Sequence, residues 1–264
     1  MAAMFSQELK MQIPLRGLVV TMLLLCGLVS SPVWAGEVKV AVTADFAAPM
    51  EKLAPLFQKE SGHTVKFSSG ASGVLYAQIK KGAPFDVFLS ADEELPKQLL
   101  QDGLAVGGSR FIYATGRLVL WSAQPGLVDE KGAVLNKGNF STLAMPNPRT
   151  SPYGTAVKET LTKLIMWNAM QGKLDRRDDV AVAYQLAATE RADLAFIALS
   201  QVMRDGKVTA GSWWLVPPEL HNPIHQSAVL LSGAKDPAAA KAFLTFLKSE
   251  KARKVMRGFG YESP

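Results

Sequence analysis

The run VKVAVTADFAAPMEKLAPLFQKES, residues 38–61, decides how the rest of the chain is read. VKVAV (38–42) is short, apolar and rich in β-branched residues, as expected of a buried strand. Residues 46–60 read as a helix, and Pro49 falls in its first turn, where its missing N–H does no harm. A buried strand feeding a helix opens a βα unit. The hinge between them, TADF (43–46), carries Asp45. A carboxylate there would cap the helix by accepting from its loose N–H groups. Alternatively those N–H groups stay free and hold an anion.

The same alternation continues. HTVKFSSG (63–70) reads as a strand, and VLYAQIKKG (74–82) as a helix closed by Gly82. FDVFLSA (85–91) is a strand before a helix over 93–101. This βαβαβα order predicts an α/β fold with a mostly parallel sheet and helices on its faces. Beyond Gly116, RLVLWSA (117–123), TLAMPN (142–147), WWLVP (213–217) and IHQSAVLLSG (224–233) read as strands. Residues 153–164, 179–190, 237–249 and 251–261 read as helices, and ADLAFIALSQV (192–202) as a strand leading into one. Two βα sets predict two lobes. Residues 36–116 with 232–264 form the first and 117–231 the second. Strands 117–123 and 224–233 would cross between them, giving a hinge and a cleft.

The first 35 residues are different material. Lys10 and Arg16 precede GLVVTMLLLCGLV (17–29), which falls short of the ~20 apolar residues a membrane span needs. VWA (33–35) follows as a cleavage signal, so residues 1–35 read as a secretory signal peptide, with an uncleaved anchor as the alternative. Cys26, the single cysteine, lies inside that run behind Leu25, which argues against a lipoprotein signal. The mature chain then needs no disulfide in an oxidising compartment. It would carry 27 basic and 22 acidic residues, scattered rather than arranged in the stripe a nucleic-acid binder presents.

Ligands of open α/β sheets bind beyond the carboxyl ends of strands, where helices begin. Four such turns are chemically distinctive: TADF (43–46), SSGASG (68–73), SPYG (151–154) and RDDV (177–180). Gly70 and Gly73 permit close backbone approach, and Ser72 offers a hydroxyl and an N–H, though it equally reads as a helix cap. Tyr153 and Gly154 follow Pro152 at a helix start, where free N–H groups would face a ligand. No phosphate loop, HExxH or GxSxG motif is present, and His63, His221 and His225 make no metal-ligand pattern. A secreted two-lobe protein without a catalytic constellation reads as a solute-binding protein rather than an enzyme. Helix N-termini facing the cleft point to an anion.

The stretches KVAVTADFAAPMEKLA, FSSGASGVLYAQIKKGAPFDVFLSADE, GSRFIYATGRLVLWSA, NPRTSPYG, ADLAFIALSQV and RGFGY carry a resemblance that spans the mature chain. It resembles the periplasmic molybdate-binding proteins of ABC transporters, in the Azotobacter-type branch. The resemblance implies a two-lobe, type II-like periplasmic binding-protein fold. It also implies a molybdate or tungstate dianion in the cleft and delivery to an inner-membrane ABC permease. The family pattern puts oxyanion-binding residues at Ala44, Asp45, Ser72, Tyr153 and Val180, with Tyr153 and Val180 acting through backbone. No further cofactor is implied, the metal enters only as the centre of the oxyanion, and a monomer without nucleic acid is expected.

This chain departs from the family at Ala44 and Asp45, where the pattern has Thr and Asn. Two unit charges ~4 Å apart repel by about 4 kcal/mol at an effective dielectric of 20, and a dianion doubles that. Asp45 escapes the penalty by capping its own helix, by carrying a proton, or by accepting from a protonated oxyanion. The remaining alternative is a different anion, such as a small organic acid, for which Arg149 and Arg177 are the candidate cations. A hydrolase built on Asp45 and Ser72 lacks a base.

Overall fold

A computed structural model describes residues 35–263. The expected signal peptide therefore lies outside the described residues, except for Ala35. β1 (Glu37–Thr43) passes through a single 3-10 turn, Ala44–Phe46, into α1 (Ala47–Ser61). β2 (Thr64–Gly70) leads into α2 (Ser72–Lys80), and β3 (Val87–Ser90) into α3 (Glu94–Gln101). β4 (Phe111–Gly116) runs through Arg117 straight into β5 (Leu118–Ser122). Then come α4 (Val134–Lys137), β6 (Leu143–Pro146), α5 (Pro152–Lys163), β7 (Leu174–Arg177) and α6 (Val180–Ala188). β8 (Leu194–Ala198), α7 (Leu199–Val202) and the small ladder β9 (Met203–Arg204) and β10 (Lys207–Val208) follow. β11 (Ser212–Leu215), β12 (Ile224–Leu230), α8 (Pro237–Leu247) and α9 (Glu250–Gly258) complete the order.

Two five-stranded sheets organise these elements, in the orders β2-β1-β3-β12-β4 and β11-β5-β8-β6-β7. The first is parallel except for β12, and the second is parallel except for β5. Those two strands are the ones the chain enters on arriving from the other sheet. The sheets thus divide the chain at 116–118 and again at 215–224. The second point lies earlier than the 231/232 boundary expected from sequence, because Ile224–Leu230 pairs with β3 and β4.

Both faces of each sheet are covered, which explains the nearly unbroken apolar strands. Val38, Val40 and Val42 of β1 pack with Phe46, Met50, Leu53 and Phe57 against α8 and α9. Ala41 on the opposite face joins Leu75, Ile79, Phe88 and Leu99. In the second sheet Leu118 and Leu120 face one core, while Val119 and Trp121 face the other.

The helix starts differ from the sequence reading in two places that matter. α2 begins at Ser72 rather than at Val74, so Ser72 is inside the first turn and Ala71 occupies the cap position without a side-chain bond. The residues ahead of α1 form a 3-10 turn, and α1 holds Pro49 in its first turn and a second proline, Pro55, in its interior. β4 and β7 are strands the sequence did not announce. β4 abuts β5 with no turn between them, and β7 (LDRR) is a polar edge strand.

Candidate oxyanion site

The carboxyl ends of β1, β2, β6 and β7 converge on one small cavity of about 10 Å3. Thr43, Ala44 and Asp45 line it from the end of β1, and Gly70, Ala71 and Ser72 from the start of α2. Ser151 and Tyr153 line it from α5, Asp179 and Val180 from α6, and Ala91 from the end of β3. All five residues singled out in the sequence, Ala44, Asp45, Ser72, Tyr153 and Val180, share this lining. No lysine or arginine is among the lining residues, so Arg149 and Arg177 do not reach it. Arg149 instead lines an open groove that shares Ala91 and Ser151 with the cavity.

Backbone N–H groups supply the positive character. Ser72, Tyr153 and Val180 are first-turn residues, and their N–H groups have no acceptor within their own helices. The helix dipoles add partial positive charge at the same points. Asp179 caps α6 by accepting from Ala181 N at 2.9 Å and Val182 N at 3.1 Å, leaving the Val180 N–H outside that cap. Ser72 Oγ accepts from Ala91 N at 3.1 Å, so its own proton is free to be donated. Pro152 at the start of α5 sacrifices no useful donor. Gly154 lets α5 seat on the end of β6, because a Cβ there would lie 2.5 Å from the Pro146 carbonyl oxygen.

Asp45 is 2 % exposed and does not cap α1. Its Oδ2 accepts from Tyr261 Oη at 2.7 Å, Gln226 Nε2 at 3.0 Å and Tyr153 Oη at 3.2 Å. Its Oδ1 meets the Thr43 hydroxyl. Ser200 Oγ donates to its carbonyl at 2.7 Å, and the Tyr261 hydroxyl, with one proton to share between the two acceptors, lies 2.9 Å from that carbonyl as well as against Oδ2. Behind it Tyr113 Oη donates to Gln226 Oε1 at 3.2 Å. Burial pushes the Asp45 carboxyl above its ordinary value, against the hydrogen bonds from Thr43, Tyr261 and Tyr153, which pull it down. Burial, and then the Asp45 charge, hold Tyr113, Tyr153 and Tyr261 well above the ordinary phenol value, so all three remain neutral.

This network joins the two sheets. Tyr153 and Ser200 reach Asp45 from the second, and Gly73 N donates across the cleft to Thr150 O at 2.9 Å. Phe46 fixes the 3-10 turn by packing edge-on against Tyr113 and Tyr261, with centroids 4.9 and 5.3 Å apart. Gly260, at φ 84°, turns the chain after α9 so that Tyr261 comes back to Asp45.

Sequence reasoning did not name Thr43, Ser200, Gln226 or Tyr261. The visible trace was Gln226, a lone amide inside the apolar strand IHQSAVLL and fully buried in the fold. Other polar and aromatic side chains serve structure. His63 accepts from Gly36 N at 2.9 Å, and Asp86 accepts from Lys39 N and Lys235 N, each at 2.7 Å. Asp92, raised by burial, accepts from Leu95 N at 2.7 Å at the start of α3. Trp214 is core, and Trp213 is partly exposed. Among the described residues there is no His, Cys, Asp and Glu group able to hold a metal ion, and no helix long and apolar enough to cross a membrane.

Comparison with known proteins gives the family. The chain is 49% identical over 235 residues to the molybdate-binding protein ModA of Azotobacter vinelandii, covering 89% of this chain and 93% of that protein. It is 47% identical to the molybdate-binding protein ModA of Rhodobacter capsulatus, over 87% of this chain and 90% of that one. The solved periplasmic molybdate-binding protein of Azotobacter vinelandii superposes with a TM-score of 0.84 at 41% identity, covering 86% of this chain and 99% of its own. The family profile of bacterial extracellular solute-binding proteins matches residues 38–262. This chain belongs to that family, the bacterial extracellular solute-binding proteins.

Proposed function

We propose that this chain is a periplasmic binding protein that captures a tetrahedral oxyanion, molybdate or tungstate, and delivers it to an inner-membrane ABC permease. One observation carries the reading. In a chain nearly half identical to two molybdate-binding proteins, the first turns of three helices and the 3-10 turn after β1 converge on one small cavity. Backbone donors hold an oxyanion there without a cation, and the lobes close around it. The binding residues are Ala44, Asp45, Ser72, Tyr153 and Val180, with Ser72 giving its hydroxyl and Tyr153 and Val180 their N–H groups. The protein works as a monomer, without another cofactor, after removal of its signal peptide.

At about 10 Å3 the cavity is far below the ~300 Å3 or more typical of sites for drug-sized molecules, which favours a compact ion. The Asp45 carboxylate favours a second reading, an anion that itself brings a proton to the site. Titration calorimetry with molybdate, tungstate and sulfate tests both. Saturable 1:1 binding of molybdate or tungstate supports the first. Absence of binding by all three, with binding of a small organic acid, would replace it.

A further inference from the structure

We propose that Thr43 and Asp45 form a proton-carrying donor pair, and that capture of the oxyanion is coupled to uptake of about one proton by Asp45. The proposal rests on the oxyanion reading above. Its geometric basis is the unequal surroundings of the two carboxyl oxygens. Oδ2 is crowded by three donors, the Tyr261 and Tyr153 hydroxyls and the Gln226 amide. Tyr153 and Gln226 fill its two lone pairs even when the single Tyr261 proton turns to the Asp45 carbonyl, so Oδ2 has no room for a proton of its own. Oδ1 has a single partner among the described residues, the Thr43 hydroxyl. A proton on Asp45 therefore sits on Oδ1.

The groups around the pair leave that proton as the available counter-charge. Tyr113 from β4, Tyr153 from α5 and Tyr261 from the C-terminal segment face Asp45, and all are neutral. Asp179, at the start of α6, is the other carboxylate in the lining and already serves as a cap. No lysine or arginine lines the cavity. When a dianion enters, the helix N-termini are engaged by the anion and no cationic side chain offsets the Asp45 charge, so protonation relieves the repulsion. The step is simple to balance. A solvent proton adds to Oδ1, turning the carboxylate into a neutral acid, and no bond to the oxyanion forms or breaks. The new O–H donates to Thr43 Oγ1, and the Thr43 proton is then released to point at the anion. Thr43 is 2 % exposed and sits one residue before Ala44, whose methyl group offers no donor. The pair thus presents a neutral donor where a bare carboxylate would repel.

The test is calorimetry with molybdate in buffers of different ionisation enthalpy, Hepes and Tris among them, from about pH 6 to about pH 10. For the wild type, proton uptake should climb toward about one per molybdate bound. Affinity should fall with rising pH at a slope that matches the uptake, reaching about tenfold per pH unit where uptake reaches one. Asp45→Asn should bind without uptake and without that slope. Thr43→Val should bind more weakly than the wild type while uptake persists. Infrared difference spectra on 13C-aspartate-labelled protein should gain the C=O stretch of a neutral carboxylic acid on binding, and Asp45→Asn should lack it. Tight binding by the wild type with no uptake at any pH would overturn the proposal and leave the oxyanion reading standing. Uptake without the acid band would place the proton on the ligand and overturn the assignment to Asp45. Thr43→Val binding as tightly as the wild type would overturn the donor pair. Failure of both wild type and Asp45→Asn to bind molybdate would overturn the proposal together with the reading beneath it.

Discussion

Gly154→Ala adds one methyl group at the point where α5 meets the end of β6. Its Cβ would lie 2.5 Å from Pro146 O, 2.6 Å from Asn147 C and 2.7 Å from Asn147 O. All three are backbone atoms, so no side-chain rotation relieves the contact. Real Cβ atoms essentially never come closer than 3.0 Å, so α5 must retreat by about 0.5 Å. That is the limit within which a binding constellation stays productive. Overpacking of this kind costs about 1–3 kcal/mol of stability. The retreat also carries the Tyr153 N–H away from the cavity. Weakening a hydrogen bond to a charged group by about 1.4 kcal/mol lowers affinity roughly tenfold. Urea unfolding of the ligand-free protein and calorimetry with molybdate read the two effects separately. Gly172→Ala is the control, since nothing lies within 4 Å of a Cβ there and it should change neither. If Gly154→Ala keeps the wild-type midpoint and binds within about twofold, close seating of α5 is not what places the Tyr153 donor.

Ser72→Ala removes a hydroxyl that accepts from Ala91 N and is free to donate into the cavity; it should bind molybdate roughly tenfold more weakly in calorimetry. The same change leaves the buried Ala91 N–H unpaired and should cost about 1–3 kcal/mol in urea unfolding. Asp179→Ala removes the cap on Ala181 N and Val182 N and should cost about 1 kcal/mol. Asp179→Asn should keep that stability and, by taking a negative charge out of the lining, bind the anion more tightly than the wild type. Asp45 has a folded-state value raised by burial above its ordinary 3.8, so in that window the folded protein binds more protons than the unfolded chain. Its contribution is therefore most favourable below about 3.8 and is lost as the pH rises through the raised value. Ligand-free Asp45→Asn should thus gain stability over the wild type with rising pH, and equal pH profiles in urea unfolding would contradict this.

The candidate site was legible wherever helix-start chemistry leaves a local signal. Glycine, serine and proline at the starts of α2 and α5, and Asp179 before α6, betray helix N-termini in the sequence alone. The alternation of strand and helix brought those turns to one side of two sheets, and all five expected residues line one cavity. What stayed hidden was the support of Asp45. Ser200, Gln226 and Tyr261 lie 155, 181 and 216 residues away from it in sequence, and nothing local ties them to a turn after β1. Capping of α1 by Asp45, one of the alternatives the sequence left open, does not occur for the same reason: distant hydroxyls and an amide claim its oxygens. β4 escaped notice because it meets β5 without a turn residue beyond Gly116, and β7 because an edge strand needs no apolar pattern.

The most direct test of oxyanion capture is anomalous diffraction at the molybdenum absorption edge from crystals grown with molybdate. The account predicts a single molybdenum peak inside the cavity. Its oxygens should lie within hydrogen-bonding distance of the N–H groups of Ser72, Tyr153 and Val180 and of the Ser72 hydroxyl. A peak elsewhere, or none in crystals where the protein is otherwise well ordered, would contradict it.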